Sequence, residues 1–181
     1  MLQITVPGVE LYDEKNNEFI YTEERTIQLE HSLVSISKWE SKWCKPFISK
    51  TDKTEEETID YVRCMTITQN VDPSVYQRLT KANYEEIEKY INAPMTATTF
   101  KERPGGKKGG GGIITNEIIY YWMVSLQIPM DREKWHLNRL LTLIRVCNEK
   151  NAPSKKMSKS EIMKQNAAMN AARRQKLNSK G

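Results

Sequence analysis

The most apolar stretch of this polar chain runs from Thr115 to Cys147 and reads TNEIIYYWMVSLQIPMDREKWHLNRLLTLIRVC. Its apolar residues recur at three- and four-residue steps, the spacing of one face of an α-helix. Pro129 excludes the residue before it from helical geometry, so the pattern predicts two helices with a corner between them. Thr115 or Asn116 is expected to cap the first helix and Asp131 the second. The side chains expected in the core of this pair are Trp122, Trp135 and Leu140.

Residues 1–30 alternate between apolar and polar side chains in short runs separated by turn residues. This alternation is typical of strands with one buried face. The predicted strands are Leu2–Val6, Val9–Tyr12, Phe19–Thr22 and Arg25–Leu29. We interpret them as a small antiparallel β-meander, which is marginal alone and must pack on a helical body.

Residues 31–100 carry start and stop signals for helices. Ser32 can cap a helix that ends before Pro46. Thr54 with Glu57, and later Asn83 with Glu86, have the spacing of a capping box. Residues 101–112, KERPGGKKGGGG, predict a flexible glycine-rich loop. It is not interpreted as a phosphate-binding loop, because Gly111 and Gly112 stand where such a loop requires Lys and Ser/Thr.

Charge divides the chain unevenly. Residues 150–181 hold nine Lys and Arg against one acid, a charge of +8, which leaves −3 for residues 1–149 of the total of +5. A capping box at Ser158 and Glu161 predicts a basic helix over residues 159–177, whose apolar content is too thin to bury much by itself.

The predicted fold class is therefore α+β: a small N-terminal antiparallel β-meander packed on a mostly helical body, with a basic C-terminal helix. A single domain is expected over residues 1–149, followed by a basic helical tail over residues 150–181. Within the domain, the meander takes residues 1–30, helices 31–100, the flexible loop 101–112 and the core helical pair 113–149.

The sequence holds no motif that indicates catalysis. The acids around residues 52–60 are interpreted as complementing a helix dipole on a solvated face, and not as a metal site. His31 is interpreted as a half-exposed residue near a helix start, and His136 as a residue at the edge of the core or at a helix contact. We expect no enzyme activity, no cofactor and no metal.

The location of the protein is predicted from absences in the sequence. No window reaches the roughly 18 apolar residues of a membrane span, and the N-terminal residues lack a secretory signal pattern. The three cysteines, an odd number at wide spacings, favour reduced thiols in a cytosol. We therefore expect no membrane contact and a place in the host cytoplasm, or in the virion if the protein is structural.

Four segments resemble small proteins encoded among the tail genes of long-tailed bacteriophages. They are EHSLVSISKWESKW (30–43), INAPMTATTF (91–100), EIIYYWMVSLQIPMDREKWHLNRLLTLIRVCN (117–148) and KKMSKSEIMKQNAAMNAARRQKLNSKG (155–181). The resemblance implies a tail assembly chaperone, which binds the tape-measure protein until tail-tube subunits polymerise around it. Such a role is non-catalytic, and self-association is a further expectation.

Two alternatives stay open: a structural virion component in head–tail joining or tail completion, and a nucleic-acid-binding protein that uses the basic tail. The tail lacks interleaved aromatic residues for stacking on bases, which disfavours the second. The residues expected to contact a partner are Trp39, Trp43, Lys155, Lys156, Ile162, Met169, Arg173 and Arg174. Phosphate contacts would involve the same tail cations together with Lys176.

Overall fold

The computed structural model describes residues 1–13, 17–49, 52–100, 112–152 and 159–177. Within them the protein is an α+β fold, as predicted, with four short strands followed by seven α-helices. The strands are β1 Leu2–Val6, β2 Val9–Asp13, β3 Glu18–Thr22 and β4 Arg25–Leu29. The helices are α1 Leu33–Trp43, α2 Glu55–Met65, α3 Ser74–Gln77, α4 Lys81–Asn92, α5 Asn116–Ser125, α6 Leu137–Asn151 and α7 Lys159–Leu177.

The strands form two antiparallel pairs and not the single meander expected from the sequence. β1 pairs with β4. The two strands that lie between them in the sequence, β2 and β3, pair with each other in a hairpin. The β1–β4 pairing brings Ile4 opposite Ile27, and both are buried. At the base of the hairpin, a Cβ on Gly8 would lie 2.4 Å from the carbonyl oxygen of Thr22, so only glycine fits there.

Capping side chains begin three of the helices. Ser32 caps α1 and Thr54 with Glu57 forms a capping box on α2, as the spacing predicted. The prediction for α4 was wrong: the capping box is formed by Thr80 and Asn83, so the helix begins one turn earlier than an Asn83 cap requires. Asn83 is drawn inward because its side-chain amide donates to the carbonyl of Thr5 on β1.

The corner after α5 differs from the expected one. Residues Met130–Lys134 form a 3₁₀ helix, and α6 begins at Leu137, so Asp131 does not cap it. The backbone N–H of Leu137 donates to the carbonyl of His31 at 2.7 Å, and His136 forms an isolated bridge with Ser32. This contact with the start of α1 keeps Trp135 extended, so α6 begins only at Leu137.

One apolar core lies between the β1–β4 sheet and helices α1, α2, α4, α5 and α6. Leu140 is fully buried, as expected. The expectation of core positions for the two tryptophans was wrong: Trp122 is half-buried and packs against the edge of the core, and Trp135 is half-buried but is not among the residues packed against it. The largest fully buried side chain is instead Trp39, whose indole N–H donates to the carbonyl of Glu57. The core is therefore centred on α1 as much as on the α5–α6 pair.

By its internal contacts the chain divides into two units, Met1–Asn148 and Glu149–Gly181. The first contains both sheets and the core. In the second, every side chain of α7 with a described position is exposed. The predicted helix over residues 159–177 has the observed bounds. Ser158 of its expected capping box lies outside the described residues, and so do residues 101–111 of the loop predicted over residues 101–112.

Candidate functional site

The basic helix α7 is the first candidate for a functional surface. Its cations are all exposed, and they are Lys159, Lys164, Arg173, Arg174 and Lys176. Large apolar side chains are exposed among them: Ile162 by 44%, Met163 by 73%, Met169 by 48% and Leu177 by 74%. At 3.6 residues per turn Ile162, Met169 and Leu177 lie within about 80° of one another around the helix axis, and Arg173 lies in the same arc, whereas Met163 lies outside it. The arrangement can bind a surface that offers both apolar groups and negative charge.

The residues expected to contact a partner differ in their exposure to solvent. Ile162, Met169, Arg173 and Arg174 are exposed on α7, whereas Lys155 and Lys156 lie outside the described residues. The expectation for Trp39 was wrong, because this side chain is fully buried. The periodicity of a helix defines its apolar face but not whether that face meets a partner or its own core.

Trp43 is half-buried and already engaged within the body. Its indole N–H donates to Asp60, and its ring stacks with that of Trp39 at 6.2 Å between centroids. The ammonium groups of Lys42 and Lys45 each lie 5.5 Å from the Trp43 ring centroid. The ring is therefore partly exposed at the surface of α1 while its N–H is satisfied within the body, and contact between Trp43 and a partner stays a prediction.

The interpretation of the acids near α2 as a solvated face was wrong for two of them. Glu57 is fully buried and binds the ammonium of Lys45 at 2.6 Å, while also accepting from the backbone N–H of Thr54. Asp60 is 7% exposed and binds Lys42 and Trp43. Both carboxylates are thus compensated by neighbouring donors, as buried charges require.

A buried polar cluster joins the ends of several elements. The Nδ1 of His31 forms a short hydrogen bond with the hydroxyl of Tyr61, and the rings of His31 and His136 lie 5.1 Å apart at their centroids. The Nδ1 of His136 accepts from the backbone N–H of Asn138, so its Nε2 carries the proton and donates to the carbonyl of Tyr90. The prediction of a half-exposed His31 was wrong, since it is 3% exposed.

Burial sets the protonation of this cluster. It lowers the pKa of His31 to about 3, with repulsion from His136 as the second cause, and burial also lowers the pKa of His136. Desolvation raises the pKa of Tyr61 far above its ordinary value. Both histidines are therefore neutral at pH 7, and their hydrogen bonds favour a structural role.

No group of three or more His, Cys, Asp or Glu that could hold a metal lies in the described parts of the chain.

Sequence reasoning missed a second surface, which is formed by Arg132, Trp135 and Arg139. The guanidinium carbon of Arg132 lies 4.5 Å from the centroid of the Trp135 ring, and that of Arg139 lies 3.9 Å from it. We name these three residues the Trp135 clamp. The spacing of Arg132 and Arg139 around one tryptophan was visible in the sequence, but only the delayed start of α6 brings all three together.

Comparisons with known proteins found no relative of this chain. The sequence matches no protein-family model, and comparisons with curated proteins and with solved structures found no match. Over the described ranges, none of the helices combines the length and the apolar character that crossing a membrane requires.

Proposed function

We propose that this chain is a phage tail morphogenesis protein that acts by binding and not by catalysis, and that it serves as an assembly chaperone for the tape-measure protein in the host cytoplasm. The observation that carries the proposal is the exposure of α7, a 19-residue helix with apolar and cationic side chains all open to solvent. An isolated helix of this length is marginal in water, so a partner that covers it stabilises both molecules.

The resemblance to tail-gene proteins supplies the identity of the partner. A tape-measure protein is a long, mostly helical chain whose apolar stripes need cover before the tail tube forms. The exposed Ile162 and Met169 of α7 suit such a stripe, since methionine adapts to irregular apolar surfaces. The cations of α7 accelerate association with an acidic partner in a salt-dependent way.

Co-expression with the tape-measure protein tests the proposal. The full chain is expected to keep the tape-measure protein soluble and to co-purify with it. The double variant Ile162→Ser and Met169→Ser is expected to lose most of this effect. Ala168→Ser lies about 100° from Met169 and about 120° from Ile162 around the axis of α7. It is the matched control, because it adds a hydroxyl without removing an apolar side chain from the stripe.

Mass spectrometry of purified particles separates the chaperone from a structural protein. A chaperone leaves the assembled tail, so its peptides are expected to be absent or far below one copy per particle. A stoichiometric amount in the particle would replace the chaperone role with that of a structural virion component.

Nucleic-acid binding is the second candidate, favoured by the five exposed cations of α7. It predicts an affinity for DNA that falls steeply with salt and that is lost when these cations are replaced by glutamine. The exposed apolar side chains on the same helix favour the protein partner instead, since phosphate contacts leave them uncovered.

A further inference from the structure

We propose that the Trp135 clamp binds the carboxylates of an acidic segment of a partner protein. The proposal concerns a surface of the Met1–Asn148 unit and is separate from α7. It rests on the proposed function only in the claim that this chain acts by binding proteins.

The first support is the geometry of the two guanidinium groups. Arg132 belongs to the 3₁₀ helix Met130–Lys134, Trp135 to the extended residues after it, and Arg139 to the first turns of α6. Three consecutive pieces of backbone thus present one indole ring with an arginine at 4.5 Å and another at 3.9 Å from its centroid. The ring restrains both long side chains, so less conformational entropy is lost when they bind a ligand.

The second support is the set of N–H donors that remain available on the two guanidinium groups. A guanidinium over an aromatic ring can turn the face of its plane to the ring, which leaves its five N–H donors, fixed in that plane, to bind other groups. These donors match the two oxygens of a carboxylate in a bidentate hydrogen-bonded pair. Arg132 has one carboxylate neighbour, Asp131 at 3.5 Å, and within the described ranges no carboxylate forms an ion pair with Arg139.

The third support is a shallow cavity of about 280 Å³ beside the clamp. Lys134 and Arg139 lie on its wall together with the Trp135 ring, so a bound acidic side chain meets two cations there. The cavity also contains Glu30, whose carboxylate is held by the hydroxyl of Tyr90 and the amino group of Met1. An incoming carboxylate therefore approaches from the side of Lys134 and Arg139.

The surroundings of the clamp favour a protein over a nucleic acid. Single-stranded nucleic acids stack their bases on open aromatic faces, and here the guanidinium groups of two arginines already lie over the Trp135 ring. Asp131 and Glu133 alternate with Arg132 and Lys134 along the chain. This alternation weakens the field felt by a continuous phosphate backbone, whereas single carboxylates of a protein segment pair with individual arginines.

The test measures binding of a fluorescein-labelled decaglutamate peptide by fluorescence anisotropy at low salt. The protein is the full chain in a background where all nine Lys and Arg of residues 150–181 are replaced by glutamine, so that the basic tail does not bind the probe. In this background Arg139→Gln is expected to weaken the affinity about fivefold. Arg132→Gln is a second variant that tests the same clamp. The matched control is Arg25→Gln on β4, which removes one exposed positive charge far along the chain and is expected to leave the affinity unchanged.

Arg139→Lys distinguishes the clamp from simple charge attraction. It keeps the charge and loses the planar fork, so the affinity is expected to fall at least about twofold. An affinity equal to that of the unchanged Arg139 would overturn the proposal. So would equal losses from Arg139→Gln and Arg25→Gln, or tighter, Arg139-dependent binding of a ten-nucleotide oligothymidine. The decaglutamate probe is not a phage protein. A negative result for the Trp135 clamp therefore does not decide the tape-measure experiment, and a negative result in that experiment does not decide this one.

Discussion

The carboxylate of Glu40 on α1 accepts a hydrogen bond of 2.8 Å from the backbone N–H of Asn116, the first residue of α5, 76 positions further along the chain. The same oxygen accepts from the side-chain amide of Asn116, and the other oxygen accepts from the backbone N–H of Phe47 at 2.6 Å. Glu40 is 7% exposed. One buried carboxylate thus caps α5 from a distant helix, where the helix dipole favours negative charge.

Replacing Glu40 with alanine is expected to lower the free energy of unfolding by about 3 kcal/mol, because buried backbone donors of Phe47 and Asn116 lose their acceptor. Glu40→Gln keeps one acceptor oxygen and is expected to cost less. The midpoint of urea unfolding measures both. Glu24→Ala, at an exposed position, is the control; an equal loss in Glu24→Ala and Glu40→Ala would contradict the capping role.

The start of α4 gives a second prediction. Thr80 accepts from the backbone N–H of Asn83, and the side-chain oxygen of Asn83 accepts from the backbone N–H of Thr80. Thr80→Ala is therefore expected to destabilise the fold by about 1 kcal/mol. Glu86→Ala, which removes the partner that an Asn83 cap would use, is expected to change the stability by less than about 0.5 kcal/mol. A larger loss of stability in Glu86→Ala than in Thr80→Ala, measured by urea unfolding, would indicate that Asn83 caps the helix.

Cys44 ends α1 in the left-handed region, with φ of 51° and ψ of 37°. Glycine adopts this conformation without the steric cost that a Cβ carries. Cys44→Gly is expected to raise the unfolding free energy by about 0.5–1 kcal/mol, whereas Cys44→Ala keeps the Cβ and is expected to leave it nearly unchanged. Thermal or urea unfolding of the two variants, measured side by side, tests this difference. A glycine variant no more stable than the alanine variant would show that the backbone at Cys44 is not strained.

The buried His31 makes stability depend on pH. Its pKa in the folded protein is about 3, below the ordinary value of 6.5, so the unfolded chain binds the extra proton first as pH falls. This contribution to stability is complete above pH 6.5 and is lost progressively between pH 6.5 and 3. At pH 5 the loss from His31 is about 2 kcal/mol.

The variant His31→Asn isolates this effect, because it removes the titrating group while other acids and His136 still titrate. Urea midpoints at pH 7.5 and pH 5 are expected to differ less in His31→Asn than in the unchanged protein. An equal fall in both proteins would show that His31 does not carry the pH dependence.

Local signals in the sequence predicted the elements that depend on local contacts. Ser32 and Thr54 begin helices because their caps bond to residues three positions ahead. The alternation in Leu2–Val6 and Arg25–Leu29 predicted strands, since each buries one face. The basic helix over residues 159–177 followed from its composition and length.

Features set by distant contacts could not be predicted in this way. The partner of β1 depends on which buried face it meets, so alternation alone did not exclude pairing with β2. The late start of α6 depends on the carbonyl of His31, which is more than 100 positions away in the sequence. The partner of Glu40 and the burial of Trp39 belong to the same class, because an apolar or charged side chain on a helix does not reveal what it will face.

Binding of the tape-measure protein by α7 is tested by the soluble fraction of the tape-measure protein when it is co-expressed with this chain. We expect the full chain to raise this fraction, Ile162→Ser with Met169→Ser to abolish most of the rise, and Ala168→Ser to preserve it. A soluble fraction that does not change with the full chain, or that the double variant raises equally well, would contradict the account of α7 as the surface that binds the partner.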